Sequence, residues 1–154
     1  MMRYLILLAF ALTASLTIAD PKEREGRVIH PTHLGYIDLI ESVKAATKKN
    51  KMGVVTEAAS TASAKTRGIA ISGNRVIGFF NNIFAVEMLN ASESAMIEAP
   101  VRFYVTEQPN GTATLSYKMP SHVFAPYADE NPEVMKITTE LDTVFAAIAD
   151  AAIK

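Results

Sequence analysis

Both cysteine and tryptophan are absent from this chain of 154 residues. Without cysteine there are no disulfides, no thiolate catalysis and no cysteine-ligated metal site. The 7 glycines and 7 prolines form no long tract, which excludes the low-complexity classes. Neither sign of charge dominates, because 15 lysine and arginine residues balance 16 aspartate and glutamate residues. A nucleic-acid binder requires a basic surface, so we expect no nucleic-acid partner.

The apolar fraction of the sequence is large enough to form a core. Hydrophobic residues make up 49% of the chain and charged residues 20%. A chain of this length is typical of one domain rather than two. We therefore expect a single globular domain that is stable without disulfides.

Residues 1–19 have the pattern of a secretory signal peptide. A short positive start is followed by the apolar run Tyr4–Leu12 and then by small residues up to Ala19. This pattern predicts cleavage after Ala19. Ala19 and Thr17 are then the small residues one and three positions before the cleaved bond. The alternative is a retained membrane anchor, but the apolar run is shorter than the roughly 20 residues that a bilayer core requires.

An exported protein follows from this interpretation. Residues 20–26 are charged and are expected to form a flexible leader before a domain at 27–154. No second apolar stretch reaches spanning length, so we expect no membrane association after signal cleavage. The expected location of the soluble mature protein is periplasmic or secreted.

Hydrophobic periodicity predicts helices and strands that are intermixed along the chain. Helices are predicted at 36–50, 58–67, 83–89 and from Pro132 onward, and strands at 27–30, 52–57, 75–80, 101–107 and 112–118. The polar, proline-containing residues 119–131 are predicted to form a loop. The last helix carries an apolar stripe made of Val134, Ile137, Leu141, Val144, Phe145, Ile148 and Ala152.

The fold class that these elements predict is α+β. Pro109-Asn110-Gly111 between the last two strands is a strong hairpin signal, so the sheet is expected to be at least partly antiparallel. Helices intermixed with strands favour a two-layer α/β sandwich. We expect a mixed, partly antiparallel sheet with the helices packed on one face.

Several short segments resemble one known family. They are Arg75–Asn81, Glu98–Glu107, Gly111 and Tyr117–Pro120, together with Ala85 and Leu89. In these segments the chain resembles the DUF302 family, and the resemblance extends from residue 28 to the end of the chain. It implies a compact two-layer α/β sandwich that forms homodimers, and it implies no reaction, because the function of the family is unknown.

Two positions in these segments depart from some members of the family. Phe80 and Val101 stand where those members carry cysteine, so no thiol role transfers to this chain. Asn81 and Pro100 match the motif, and both have structural explanations. Asn81 is predicted to cap the helix at 83–89, and Pro100 to begin a strand at a sheet edge.

The histidines and one methionine offer the most specific metal chemistry. His30 and His33 are three residues apart, and Met119 lies close to His122 in the predicted loop. Imidazole and thioether groups suit copper or zinc, so these four residues form a candidate metal site if their segments approach each other. Alternatively, the histidines lie in surface loops and bind nothing.

No catalytic residue and no cofactor site are predicted. Ser121 and His122 are adjacent only in sequence, and a nucleophile needs a base that a third group orients. Neither a glycine-rich phosphate loop nor a His-Glu-x-x-His motif occurs. We therefore expect no cofactor, and an enzymatic activity is less expected than a binding role.

The segment Phe79–Leu89 is more apolar than a half-exposed helix requires. Three interpretations are open: packing in the core, a homodimer interface, or the lining of a pocket for a small apolar ligand. The sequence as a whole thus predicts an exported domain of unknown biochemical function that acts as a non-enzymatic binding or interaction module. The alternative function is a periplasmic copper- or zinc-binding accessory protein.

Overall fold

The computed structural model describes residues 24–154, so the predicted signal peptide and most of the predicted leader lie outside the described residues. The strands are β1 (Arg27–Gly35), β2 (Gly53–Ala58), β3 (Asn74–Phe80), β4 (Val101–Glu107) and β5 (Thr112–Lys118). The α-helices are α1 (Tyr36–Lys49), α2 (Ser60–Thr66), α3 (Asn82–Ala91), α4 (Pro120–Phe124) and α5 (Glu133–Ala152). Two short 3₁₀ helices are Ser94–Glu98 and Ala125–Tyr127. None of the helices in this part of the chain is long and apolar enough to cross a bilayer.

The strands of residues 24–154 form one sheet in the order β1-β5-β4-β3-β2. Helices α1 and α5 pack on one face of this sheet, which confirms the predicted α+β sandwich. Every neighbouring pair of these strands is antiparallel, whereas the sequence suggested a mixed sheet. The reason is that β1 and β2, which a helical crossover connects, lie at opposite edges and never pair.

The hydrophobic core lies between the sheet and helices α1 and α5. Four aromatic rings meet at its centre: Phe79, Phe103, Tyr117 and Phe145. The ring centroids of Phe103 and Phe145 are 4.8 Å apart, and those of Phe103 and Tyr117 are also 4.8 Å apart. Such aromatic clusters bury large apolar areas, so this contact fixes α5 on the sheet.

Side-chain hydrogen bonds confirm two local predictions. Asn81 caps α3, since its Oδ1 accepts from the backbone N–H groups of Ile83 (2.8 Å) and Phe84 (3.4 Å). In the turn between β4 and β5, Asn110 Oδ1 accepts from the backbone N–H (3.1 Å) and the hydroxyl (2.8 Å) of Thr112. Both asparagines satisfy backbone donors that would otherwise depend on water.

The prediction of a loop at 119–131 is wrong. Pro120 begins the helix α4, where its missing N–H costs nothing because the first helical donors have no partner within the helix. Phe124 at the end of α4 is 3% exposed and joins the core. The polar residues around this short helix concealed the apolar residues that anchor it.

Predictions at two prolines and at α2 also need correction. Pro100 precedes β4, which is an interior strand rather than a sheet edge. Strand β1 continues past Pro31 instead of ending there, which an edge strand tolerates because one side of it has no partner. The helices were expected to pack on one face of the sheet, but none of the residues of α2 is buried.

Candidate functional site

The face of the sheet opposite α1 and α5 carries rows of side chains that run across the strands. Residues that pair across antiparallel strands project from the same face, so the register defines each row. The first row, called here the cationic row, consists of Arg27, Lys118 and Arg102. The second, called the amphipathic row, consists of Ile29, Ser116, Tyr104 and Val76.

The cationic row places three positive charges side by side. Arg27 in β1 pairs with Lys118 in β5, and the β4–β5 register continued by one residue places Arg102 opposite Lys118. Neighbouring strands lie about 4.8 Å apart, so the row spans roughly 10 Å between its outer backbones. The register of β3 and β4 then places Gly78 opposite Arg102, at the end of the row.

Gly78 allows the chain to close this end of the row. A Cβ atom at Gly78 would collide with Thr56 Oγ1 and would lie 3.0 Å from Pro100 Cγ. Because glycine has no side chain, Pro100 and Thr56 lie directly against the strand. The cationic row is therefore bounded on one side by these two residues.

The amphipathic row combines apolar side chains with one buried hydroxyl. Ser116 is buried, and its Oγ accepts a hydrogen bond of 3.1 Å from Arg27 Nη2. This bond holds the Arg27 guanidinium across the sheet, between the two rows. Tyr104 and Val76 are partly exposed and give the row an apolar surface next to the charges.

The two rows contribute the floor of a groove of about 490 Å³. Its sides include Arg24 before β1, Glu98 in the first 3₁₀ helix and Val123 in α4. Four cations and one acid thus line this groove, and none of the four cations takes part in an ion pair within residues 24–154. The groove, called here the cationic groove, is positive although the chain as a whole carries a net charge of -1.

Glu98, the acid of the cationic groove, is already engaged by a tyrosine. Tyr127 Oη donates a hydrogen bond of 3.1 Å to Glu98 Oε1. Desolvation and this hydrogen bond raise the pKa of Tyr127 above its ordinary value of 10.0. The contact ties one oxygen of Glu98 to Tyr127 without cancelling its charge, so the groove carries one negative charge against four positive ones.

The one serine of the groove is hydrogen-bonded to an arginine. Ser116 accepts from a guanidinium, which has no lone pair with which to take the serine proton. None of the three histidines lines the groove. Nucleophilic catalysis needs a base beside the hydroxyl, and within residues 24–154 Glu98, the carboxylate of the lining, makes no hydrogen bond with Ser116.

The structure places the predicted metal ligands at separate sites along β1. Met119 and His122 lie beside Gly26, at the beginning of the strand: Met119 N–H donates to Gly26 O (2.7 Å), and the His122 ring packs against the Gly26 backbone. His30 and His33 are four and seven residues further along the chain, which is about 13 and 23 Å along a fully extended strand. His30 stacks on Tyr117, and His33 is exposed.

Zinc ligands all lie about 2 Å from the ion, so a shared site would require these segments to approach each other more closely. No group of three or more histidine, aspartate or glutamate side chains within residues 24–154 is arranged to hold a metal ion. The metal site at His30, His33, Met119 and His122 stays a prediction that no contact in the structure supports.

The apolar segment Phe79–Leu89 divides between two environments. Phe79 and Met88 are buried in the core, whereas Ile83, Val86 and Leu89 on α3 are exposed. The cavity beneath α3 measures only about 40 Å³. Ligand pockets usually measure about 300–1,000 Å³, so this cavity is too small for the apolar ligand that the segment suggested.

The cationic row was missed because its members lie far apart in the sequence. Alternation along β4 predicts that Arg102 and Tyr104 share a face, which the structure confirms. The register that sets Arg27 beside Lys118 joins strands 91 positions apart, and no local pattern encodes it. The one available signal was the pair of cations, Arg27 and Lys118, at the ends of two predicted strands.

Comparison with known proteins agrees with the resemblance found in the sequence. The sequence model of "Domain of unknown function DUF302" matches residues 28–152. The crystal structure of an uncharacterized conserved protein, DUF302, from Bacillus stearothermophilus is similar, with a TM-score of 0.74 and 17% sequence identity. The match covers 85% of this chain and 100% of that chain, and at this identity it concerns the fold alone. No curated protein matches the sequence.

Proposed function

Because the chain belongs to the DUF302 family, whose function is unknown, we propose a role from its own geometry: an exported, non-enzymatic domain that binds a small molecule in the cationic groove. The observation that carries this proposal is the volume of the groove on the open face of the sheet, about 490 Å³. That volume lies within the usual range for small-molecule sites, about 300–1,000 Å³. The proposal of export rests on the signal-peptide pattern of residues 1–19.

Binding sites of this kind combine apolar walls with a few polar groups that orient the ligand. Val76, Tyr104 and Val123 supply apolar surface, and Ser116 with Arg27 supplies a fixed polar point. The lining offers no nucleophile beside a base, so the groove retains a molecule rather than converting it.

The test is an NMR titration of the protein, purified from an expressing bacterium, with a mixed set of neutral, acidic and basic fragments. We expect the amide shifts to cluster at Val76, Tyr104 and Ser116. Tyr104→Ala should lower the affinity of the fragments that bind in the groove several-fold, since it removes the aromatic ring of Tyr104 from the lining. The matched control is Ile83→Ala, which removes an exposed apolar side chain on α3, outside the groove.

Two results would contradict the proposed function. One is the absence of any shift in the groove over the whole fragment set. The other is a cluster of shifts elsewhere, for example in the polar groove between α3 and α5 that Glu87, Asn131 and Lys136 line.

A further inference from the structure

We infer that the ligand of the cationic groove is an organic anion, with a carboxylate or phosphate group at one end and an apolar body at the other. This inference rests on the proposed function and adds the chemical class of the ligand. Its evidence is the order of the two rows: the cationic row lies beside the amphipathic row on the same open face.

The cationic row is unfavourable to the protein without an anion. Side chains directly opposite on antiparallel strands have Cβ atoms about 4.5–5.5 Å apart, and like charges in such pairs are destabilising. Lys118 lies between two arginines in this way, with Arg27 on one side and Arg102 on the other. An anion bound at Lys118 would compensate both repulsive pairs at once.

The remaining charge of the groove is too small to provide that compensation. Glu98 is the single acid among the lining residues, against four cations. The four ion pairs within residues 24–154 join other residues. Arginine presents a planar fork of donors that matches a carboxylate or a phosphate in two parallel hydrogen bonds. The row therefore has the chemistry of a site for one of these groups.

The amphipathic row defines the rest of the ligand. It is two residues away along each strand, so it lies about 7 Å from the cationic row. Tyr104 and Val76 line the groove and offer an aromatic ring and a branched side chain at this distance. A ligand with its charge over Lys118 would place a hydrocarbon chain or aromatic ring on these side chains.

The hydrogen bond between Arg27 and Ser116 links the two rows. Because Ser116 holds one Nη2–H of Arg27, that side chain is positioned before any ligand arrives. A positioned side chain loses less conformational freedom on binding than a mobile one. Arg27 is therefore expected to orient the charged group, and the two exposed cations, Lys118 and Arg102, to set its affinity.

The experiment compares phenylbutyrate with the neutral alcohol phenylbutanol by isothermal calorimetry, on the wild-type protein and on the double variant Arg102→Gln/Lys118→Gln. Charge-assisted hydrogen bonds of about 1.5–3 kcal/mol correspond to a preference for the acid of roughly tenfold or more. The double variant should remove this preference, so that the acid binds no more tightly than the alcohol. Added salt should lower the affinity for the acid and not that for the alcohol, since salt screens the interaction between exposed charges.

The matched control is Lys65→Gln/Arg67→Gln, which removes one lysine and one arginine from an exposed site outside the groove. This variant should retain the full preference for the acid. Equal affinity for the acid and the alcohol in the wild-type protein would overturn the inference and leave the proposed function standing. Failure of both compounds, together with an absence of fragment shifts in the groove, would instead reject the proposed function.

A free acid and a lipid headgroup can both present such an anionic group. Sedimentation of the protein with lipid vesicles distinguishes these two ligands. We expect the free acid to bind and vesicles of phosphatidylcholine with phosphatidylglycerol not to sediment the protein. Sedimentation that the double variant abolishes would assign the cationic row to a lipid headgroup and support its role in anion binding. Sedimentation that persists in the double variant, with no preference for the acid in calorimetry, would contradict the inference that the cationic row binds the anionic group.

Discussion

Glu130 is a residue whose contacts join two distant parts of the chain. Its carboxylate accepts hydrogen bonds from the hydroxyls of Ser92 (2.5 Å) and Ser94 (2.6 Å). Ser92 Oγ in turn accepts from the backbone N–H of Ala95 and so supports the first turn of the 3₁₀ helix. The loop before α5 is thereby fastened to the end of α3, on the side of the fold that also carries Glu98.

This contact predicts a pH-dependent loss of stability. The hydrogen bond from Ser92, followed by that from Ser94, lowers the pKa of Glu130 from its ordinary value of 4.5. A lowered folded-state pKa stabilises the protein above the ordinary value, and this stabilisation is lost as the pH falls through the folded-state pKa. Glu130→Gln should therefore unfold at lower urea concentration than wild type near neutral pH, and the difference should shrink under acid.

Urea unfolding of both proteins between about pH 7 and pH 3 measures the effect. The matched control is Asp129→Asn, which changes the charge of the adjacent exposed residue and removes no hydrogen bond described in residues 24–154. A constant gap between Glu130→Gln and wild type over the whole range would show that the carboxylate contributes nothing specific.

Single residues differed in how far the sequence could predict them. The cap at Asn81 was predictable because a cap bonds to backbone groups two and three residues away. The pairs of Glu130 with Ser92 and of Arg27 with Ser116 were not, because each joins residues far apart in the chain. Hydrogen bonds between near neighbours in the chain can be predicted from the sequence, whereas contacts between residues far apart in the chain cannot.

At the scale of elements, α5 contributes most to the core. Phe145 is fully buried and stacks on Phe103 at 24° between the ring planes, and it also contacts Phe79 and Tyr117. These contacts connect the helix to three strands at once. The apolar stripe predicted for α5 is confirmed, since its members are buried except Val144, which is half-buried.

Truncation of this anchor should come close to unfolding the protein. Phe145→Ala removes a buried aromatic ring and is expected to lower the free energy of unfolding by about 3–5 kcal/mol. Typical domains have a total of about 5–15 kcal/mol, so a marginal domain would lose most of its stability. Thermal and urea unfolding measure the change. Thr143→Ala, an exposed position on the same helix, should change it by less than about 0.5 kcal/mol, and a similarly small effect of Phe145→Ala would show that α5 is peripheral.

Elements with strong periodicity were predictable and irregular ones were not. The bounds of α1, α5, β4 and β5 lie within two residues of those predicted, because their apolar residues repeat at a regular interval. Helix α4 was missed because five residues contain too few repeats to show a period. The position of β4 inside the sheet was missed because strand order depends on the whole topology.

At the scale of the molecule, apolar surface remains exposed on the side of α3. Ile83 is 69% exposed, Val86 is 57% exposed, and Ile97 in the neighbouring 3₁₀ helix is 79% exposed. Exposed apolar side chains that cluster in this way are typical of interaction surfaces. The predicted homodimer stays a prediction, and this surface is the one where we place its interface.

The homodimer is testable by light scattering coupled to size exclusion. In a symmetric dimer each substitution occurs twice at one interface, so Ile83→Glu/Val86→Glu should yield a monomer if the wild-type protein is a dimer. Ile37→Glu is the matched control, since Ile37 is equally apolar and 62% exposed on α1. A wild-type protein that is monomeric at all concentrations would show that the predicted homodimer is wrong. A double variant that remains dimeric would show that the interface lies elsewhere.

Export is the remaining prediction for the whole chain, and it rests on residues 1–19. Cleavage after Ala19 requires small side chains before the cleaved bond, and Thr17 and Ala19 supply them. Protein recovered from the periplasm or medium of an expressing bacterium should therefore have the intact mass of a chain that begins at Asp20. Ala19→Arg places a large charged side chain at the cleavage position and should leave uncleaved protein in the membrane fraction. Wild-type protein that retains Met1 in that fraction would show that the segment is an anchor, and the cationic groove would then bind its ligand at a membrane surface.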